Sequence, residues 1–259
     1  MTTYGKPIWY ELNSPDPEAA KRFYGDIAGW TTTSFPGMNG EPYTIWNANG
    51  EGTGIGGLIN MPDFPAAPIW LAYFHVEDVD AKTANVVAAG GKKYMEPFDI
   101  PQVGRIALVE DPQGAIFYLM KPVSDMGDNE STAFSSTLMG RCSWNELVVP
   151  DQKKALPFYK DLLGWVSNEA MPMGSMGDYS FIDVGDTRIG AVMDRSAPEQ
   201  PVKFTFYFAI PNVDAAVDKV KAGGGSVIMG PMDVPGGQRI ILTIDPTGAS
   251  VGFVSGERT

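Results

Sequence analysis

Cysteine and histidine are almost missing from this chain: one of each in 259 residues. A lone Cys142 cannot close an internal disulfide or assemble a thiolate zinc set, and among apolar neighbours it reads as core packing. A lone His75 excludes a His-rich metal site and leaves a Ser-His-Asp arrangement without support. Cations are also short, with 19 Lys and Arg against 31 Asp and Glu and a formal charge of −12. A phosphate-backbone binder needs clustered Lys and Arg, so nucleic acid is excluded as a partner. No apolar run reaches the length of a membrane span, and MTTYGKPIWYEL lacks the regions of a signal peptide. The expectation is a soluble, cytoplasmic protein with no membrane association. What the chain does have is 44% hydrophobic residues, enough for one large core or two ordinary ones.

Self-similarity is the strongest signal present. PIWYELNSPDPEAAKRFYGDIAGW (7–30) lies over CSWNELVVPDQKKALPFYKDLLGW (142–165) at a constant offset of 135. Trp9, Glu11, Leu12, Asp16, Phe23, Tyr24, Gly29 and Trp30 thus meet Trp144, Glu146, Leu147, Asp151, Phe158, Tyr159, Gly164 and Trp165. Downstream the offset is 134, which sets 72–101 over 206–235 and GRIALVEDPQGAIFYL (104–119) over QRIILTIDPTGASVGF (238–253). The halves are predicted as domains over 1–121 and 141–259. The Ser-, Thr-, Asp- and Gly-rich stretch 122–140 between them reads as a linker.

Within each half, alternation and helical spacing set the elements. Residues 7–13 alternate as a strand, and Ala19, Ala20, Phe23, Tyr24 and Ile27 have helical spacing over 16–28. Asp16-Pro17 marks the helix start and Gly29 its end. Strands follow at 42–47, 54–60 and 69–76. A second helix over 78–89, capped by Asp78 or Asp80, stops at Gly90-Gly91. Strands near 104–110 and 115–120 close the half around an Asp111-Pro112-Gln113-Gly114 turn. The order is βαβββ twice per half, four modules in the chain. The glycines of GTGIGG precede no helix start with a Lys, so they are not a phosphate loop.

The pattern WxEL…D…FYxxxxGW, then FxVxDVD…AGG, then R…DPxGA, resembles the glyoxalase/bleomycin-resistance/extradiol-dioxygenase (vicinal oxygen chelate, VOC) superfamily over residues 6–120 and 141–255. It is most similar to tandem two-domain bacterial members. The resemblance implies an α+β fold of two tandem VOC domains. Each would pair two βαβββ modules into a cupped mixed sheet with helices on its outer face and the ligand in its hollow. It also implies His, Gln and Glu metal ligands, and here the chain departs from the pattern. The first-strand ligand position holds Trp9 and Trp144, the last-strand Glu position holds Tyr118 and Gly252, and the dioxygenase His position holds Leu71 or Thr205. A divalent ion needs three or four N or O donors at about 2.0–2.3 Å. The expectation is therefore no bound metal and no cofactor.

Strand parity names the residues that share the hollow with Trp9: Glu11 and Asn13 in the first half, and Glu146 beside Trp144 in the second. Glu11 and Glu146 form a pseudo-symmetric pair of carboxylates among aromatics, where desolvation favours proton transfer. The competing reading is that each accepts structural hydrogen bonds. His75 shares parity with Tyr73 and serves either as a base or as a bonded structural group. Trp9, Trp144, Tyr73, Tyr207 and Tyr118, with Tyr43, Trp46, Tyr179 and Phe181 as further candidates, would wall a site for a flat or apolar small molecule. Trp30 and Trp165 read as packing. Arg105 and Arg239 either orient an acidic substrate or pair with a carboxylate.

One scaffold of this kind hosts many chemistries. The expected function is metal-independent binding of a small aromatic or apolar metabolite by an intramolecular pseudo-dimer, with lyase, isomerase or hydrolase chemistry through Glu11 or Glu146. The alternatives are sequestration or antibiotic resistance without chemistry, and a metal-dependent glyoxalase or dioxygenase using Glu11, His75 and Glu146 as unusual ligands. Whether the pseudo-dimer pairs again as a homodimer is left open.

Overall fold

The structure is a computed structural model that describes residues 4–37, 42–48, 53–61, 64, 68–123 and 131–256. The first half runs β1 (Pro7–Asn13), α1 (Pro17–Ala28), β2 (Thr31–Pro36), β3 (Pro42–Asn47), β4 (Gly54–Ile59), β5 (Ile69–His75), α2 (Val79–Ala88), β6 (Lys92–Lys93), β7 (Phe98–Ile100), β8 (Gly104–Glu110) and β9 (Ile116–Pro122). The second runs β10 (Cys142–Val149), α3 (Gln152–Leu163), β11 (Ala170–Pro172), β12 (Asp178–Val184), β13 (Thr187–Asp194), β14 (Lys203–Ala209), α4 (Val213–Ala222), β15 (Ser226–Val234), β16 (Gln238–Ile244) and β17 (Ser250–Gly256). Each half builds one mixed sheet. The orders are β2-β3-β4-β1-β5-β9-β8-β6, with β7 on β8, and β11-β12-β13-β10-β14-β17-β16-β15. The βαβββ duplication is thus present in both halves. No helix among the described residues is long and apolar enough to cross a membrane.

The local signals explain where the helices begin and end. The Asp16 carboxylate accepts the Ala19 N–H at 2.9 Å, and that of Asp151 the Lys154 N–H at 3.2 Å, so each fills an orphan donor of the first turn. Gly29 and Gly164 end these helices in the left-handed region, at φ 69° and 73°, which an L side chain resists. Asp78, rather than Asp80, caps α2. The first-half reading lacked β2, β6 and β7. TTTSFP (31–36) is exposed at nearly every position, so an edge strand of this kind has no alternating apolar signature to read. Of the predicted linker, 124–130 lies outside the described residues. Its last part is packed: Ala133 is buried and Phe134 bridges to Cys142.

Sheets follow the halves, but packing groups the modules differently. One compact unit comprises residues 1–8, 71–131 and 145–204; the other comprises 9–70, 132–144 and 205–259. Each unit therefore joins a module of one half to a module of the other, and a motif tyrosine meets a motif aspartate in each. In the second unit, buried Tyr24 donates to Asp245 Oδ2 at 2.9 Å and accepts from Trp70 Nε1 at 2.8 Å. In the first, buried Tyr159 donates to Asp111 Oδ2 at 2.8 Å. The other oxygen of each aspartate ties its own turn: Asp111 Oδ1 accepts from the N–H groups of Gln113, Gly114 and Ala115, and Asp245 Oδ1 from those of Thr247 and Ala249. Burial pushes the Asp111 carboxyl up against the pull of these donors, and pushes both tyrosine hydroxyls well above their ordinary value. Trp30 and Trp165 stack on these tyrosines, at 5.5 and 4.6 Å between ring centroids, inside the core. Cys142 is fully buried, its thiol pushed up to about 12 by desolvation, and so is inert.

Candidate functional site

Trp9 and Glu11 share one face of β1, as parity requires, and a third residue links them. Trp9 Nε1 donates to the Tyr43 hydroxyl at 2.9 Å, which donates to Glu11 Oε2 at 3.1 Å. Glu11 is only 3% exposed. The relay lies over Gly57, which stands opposite Glu11 in the β1–β4 register. A Cβ on Gly57 would meet the Tyr43 oxygen at 2.1 Å and Glu11 Oε2 at 3.1 Å, so the Tyr43 hydroxyl occupies the space that a side chain at Gly57 would need.

The second half repeats the dyad in a more open form. The Tyr179 hydroxyl donates to Glu146 Oε2 at 2.8 Å, and Glu146 is partly exposed. Ala191 takes the place of Gly57, opposite Glu146 on one side and Phe181 on the other. Sequence reasoning missed Lys203, the first residue of β14. Phe204, its neighbour, packs toward Trp165 at the helix-bearing face, which sends Lys203 to the opposite face. There its ammonium is pushed down by burial, while the charge of Glu146 pulls it back up. The signal that would have found it is a lysine in phase with Tyr207 on a strand with no other charged residue.

The positions that the resemblance assigns to a last-strand ligand are filled by rings. Tyr73 and Tyr118, in register on β5 and β9, stack at 4.1 Å and 11°. In the second half Tyr207 is in register with Gly252, and a Cβ there would stand 2.2 Å from the Tyr207 ring. Tyr207 joins Ala209 and Val254 in a buried cluster against which Trp144 and Ile240 pack. These residues do not fit a chelated divalent ion: the Trp9 indole nitrogen is a donor only, Tyr118 lies in a stack, and Gly252 carries no ligand atom. Among the described residues no three His, Cys, Asp or Glu side chains gather, so Glu11, His75 and Glu146 do not make a ligand set.

The remaining predicted residues have structural neighbours. Asn13 grips the chain after β4, accepting from Met61 N–H at 2.8 Å and donating to its carbonyl at 3.2 Å. His75 is buried edge-on against Tyr4, with ring centroids 4.9 Å apart, and its backbone pairs with Gly5 and Lys6. Arg105 pairs with Asp80 and Asp99, and Arg239 with Asp214 and Asp233. Asp80 and Asp214 belong to the first turns of α2 and α4, so both guanidiniums serve the helix-bearing face. A cavity of about 350 Å³ beside α3, lined by Leu156, Pro157, Lys160, Asp161, Trp165, Ser167 and Ile182, holds none of the predicted site residues.

Residues 6–119 and 140–253 each match the family described as Glyoxalase/Bleomycin resistance protein/Dioxygenase superfamily. CFP32 of Mycobacterium tuberculosis, which carries a provisional glyoxylase name, is 34% identical over 252 residues, covering 95% of this chain and 92% of its own. The anthracycline biosynthesis protein DnrV of Streptomyces peucetius is 32% identical over 266 residues, covering 96% and 93%. Among solved structures, the Mn(II)-bound glyoxalase from Novosphingobium aromaticivorans aligns over 100% of this chain and 85% of its own, with a TM-score of 0.65 and 19% identity. The 2,2',3-trihydroxybiphenyl 1,2-dioxygenase of Sphingomonas wittichii aligns over 99% and 92%, with a TM-score of 0.65 and 16% identity. These two likenesses are of fold.

Proposed function

We propose that this chain, which belongs to the Glyoxalase/Bleomycin resistance protein/Dioxygenase superfamily, binds a small aromatic or apolar metabolite against the Trp- and Tyr-lined faces of its sheets. In this reading a cavity glutamate moves a proton. The observation that carries it is the repeated dyad, in which a tyrosine hydroxyl donates to Glu11 and to Glu146 beside tryptophans at the positions that the family resemblance assigns to a metal ligand. Rings supply most of the affinity for a flat ligand, and the carboxylate is the acceptor for its proton, with the phenol at hand to donate to the oxygen that becomes negative. The name of the Streptomyces relatives, anthracycline biosynthesis protein, is in keeping with a flat ligand. No step is assigned to an ion, because the aligned positions lack its donors.

The test begins with the compound that stays with the protein through purification, identified by mass. Glu146→Gln is expected to abolish its turnover while circular dichroism and melting stay as in the wild type; unchanged turnover in both Glu146→Gln and Glu11→Gln removes the glutamates from the mechanism. A second reading, sequestration without chemistry, is favoured for the first half by the burial of Glu11 in a completed relay. Stoichiometric binding with no product supports it, and turnover of the bound compound excludes it.

A further inference from the structure

Among the described residues, the Lys203 ammonium has neither a hydrogen-bond nor an ion-pair partner, although the residue is half-buried on the face that carries Glu146. The first half has Ile69 at this place, the first residue of β5 as Lys203 is of β14. An ammonium withdrawn from water without a contact partner is a counter-charge in waiting: desolvation has already weakened its hydration, and an anion placed against it gains more than at the surface. On the same face, near enough for its charge to act on Lys203, is a proton acceptor, Glu146, with the Tyr179 hydroxyl 2.8 Å from its Oε2.

We propose that Glu146, Tyr179 and Lys203 form an ionising site on the second-half sheet that takes a ligand bearing an acidic hydroxyl, a phenol or an enol, and holds it as its oxyanion. The proposal rests on the small-molecule reading above and narrows its ligand class. The ligand O–H bond breaks, a Glu146 O–H bond forms, and the negative charge passes from the carboxylate to the ligand oxygen, where Lys203 faces it. Charge is balanced throughout, and no oxidant or second reactant is needed. The first half cannot do the same, because Ile69 supplies no cation and Tyr43 is committed to both Trp9 and Glu11. Phe181, in line with Glu146 across Ala191, gives the ring of such a ligand an apolar surface.

The probe is 4-nitrophenol, whose phenolate is yellow, with 4-nitroanisole as its non-ionising twin. In mildly acidic buffer, where free 4-nitrophenol is mostly colourless, the wild-type protein is expected to develop the phenolate band as it binds, with the affinity for each probe read by tryptophan fluorescence. Lys203→Met should weaken 4-nitrophenol about tenfold or more and erase the band, leaving 4-nitroanisole unchanged. Lys203→Arg should keep the band, and Ile69→Met should alter nothing. A bound probe that stays colourless, or a band that survives Lys203→Met, overturns the ionising site while the binding reading stands. Binding of neither probe overturns both.

Discussion

Glu11 and Glu146 stand at the same place in the two repeats and accept from the same kind of partner, yet their surroundings have diverged. Glu11 is sealed: Tyr43 crosses the bare backbone of Gly57 to reach it, and the same hydroxyl is held by Trp9. Glu146 is partly open, with Ala191 in place of Gly57 and Lys203 in place of Ile69. The carboxylate and its phenol are common to both halves, since Tyr179 reaches Glu146 even though Ala191 carries a methyl. Two neighbouring positions set the halves apart: Gly57 leaves bare backbone under the Tyr43 hydroxyl, and Lys203 brings a cation where the first half has Ile69.

The largest losses are expected at the features that the halves share. Asp111→Ala and Asp245→Ala each leave a buried tyrosine hydroxyl and at least two turn N–H groups without their acceptor. Each is expected to cost about 3–5 kcal/mol in urea unfolding. A large cost at one and a negligible cost at the other would show that the two packed units are not held alike.

Gly57→Ala sharpens the contrast, since its methyl must displace Tyr43; a loss of about 1–3 kcal/mol is expected, as for overpacking. The mirror change Ala191→Gly should cost only about 0.5–1 kcal/mol, the ordinary penalty of glycine in a strand. Thermal melts of the two variants check this, and equal losses would mean that Gly57 has no special role under the phenol. The smallest effects belong to the hydroxyls. Tyr43→Phe removes a half-buried hydroxyl that both accepts from Trp9 and donates to the buried Glu11, and should cost about 1–2 kcal/mol, whereas Tyr179→Phe should cost less than about 1 kcal/mol because water reaches Glu146. A larger loss from Tyr179→Phe would reverse the assignment of sealed and open halves.

Much of this was readable along the chain. The offset repeat, the aspartate caps, the glycine stops and the parity that puts Glu11 with Trp9 are local patterns. So is the replacement of ligand positions by Trp9, Trp144, Tyr118 and Gly252. Edge strands such as β2 were not readable, because an exposed strand imposes no alternation on its residues. Nor was the part played by Tyr43 and Tyr179, which lie more than 30 residues from the glutamates they contact. Asn13, Arg105 and Arg239 share parity or spacing with candidate ligand contacts, yet hold Met61 and the first-turn aspartates Asp80 and Asp214 instead.

Periodicity and capping chemistry are properties of a short stretch of chain, so the order of elements and the inward-facing residues were present in the residue order from the start. The partners of those residues were not. The tyrosine of each FY motif meets the aspartate of the other half's DPxG turn, and the compact units cut across the repeats. Modules of similar pattern offer similar faces to one another, and only the closing of the whole chain, with its buried polar groups to satisfy, selects which face covers which.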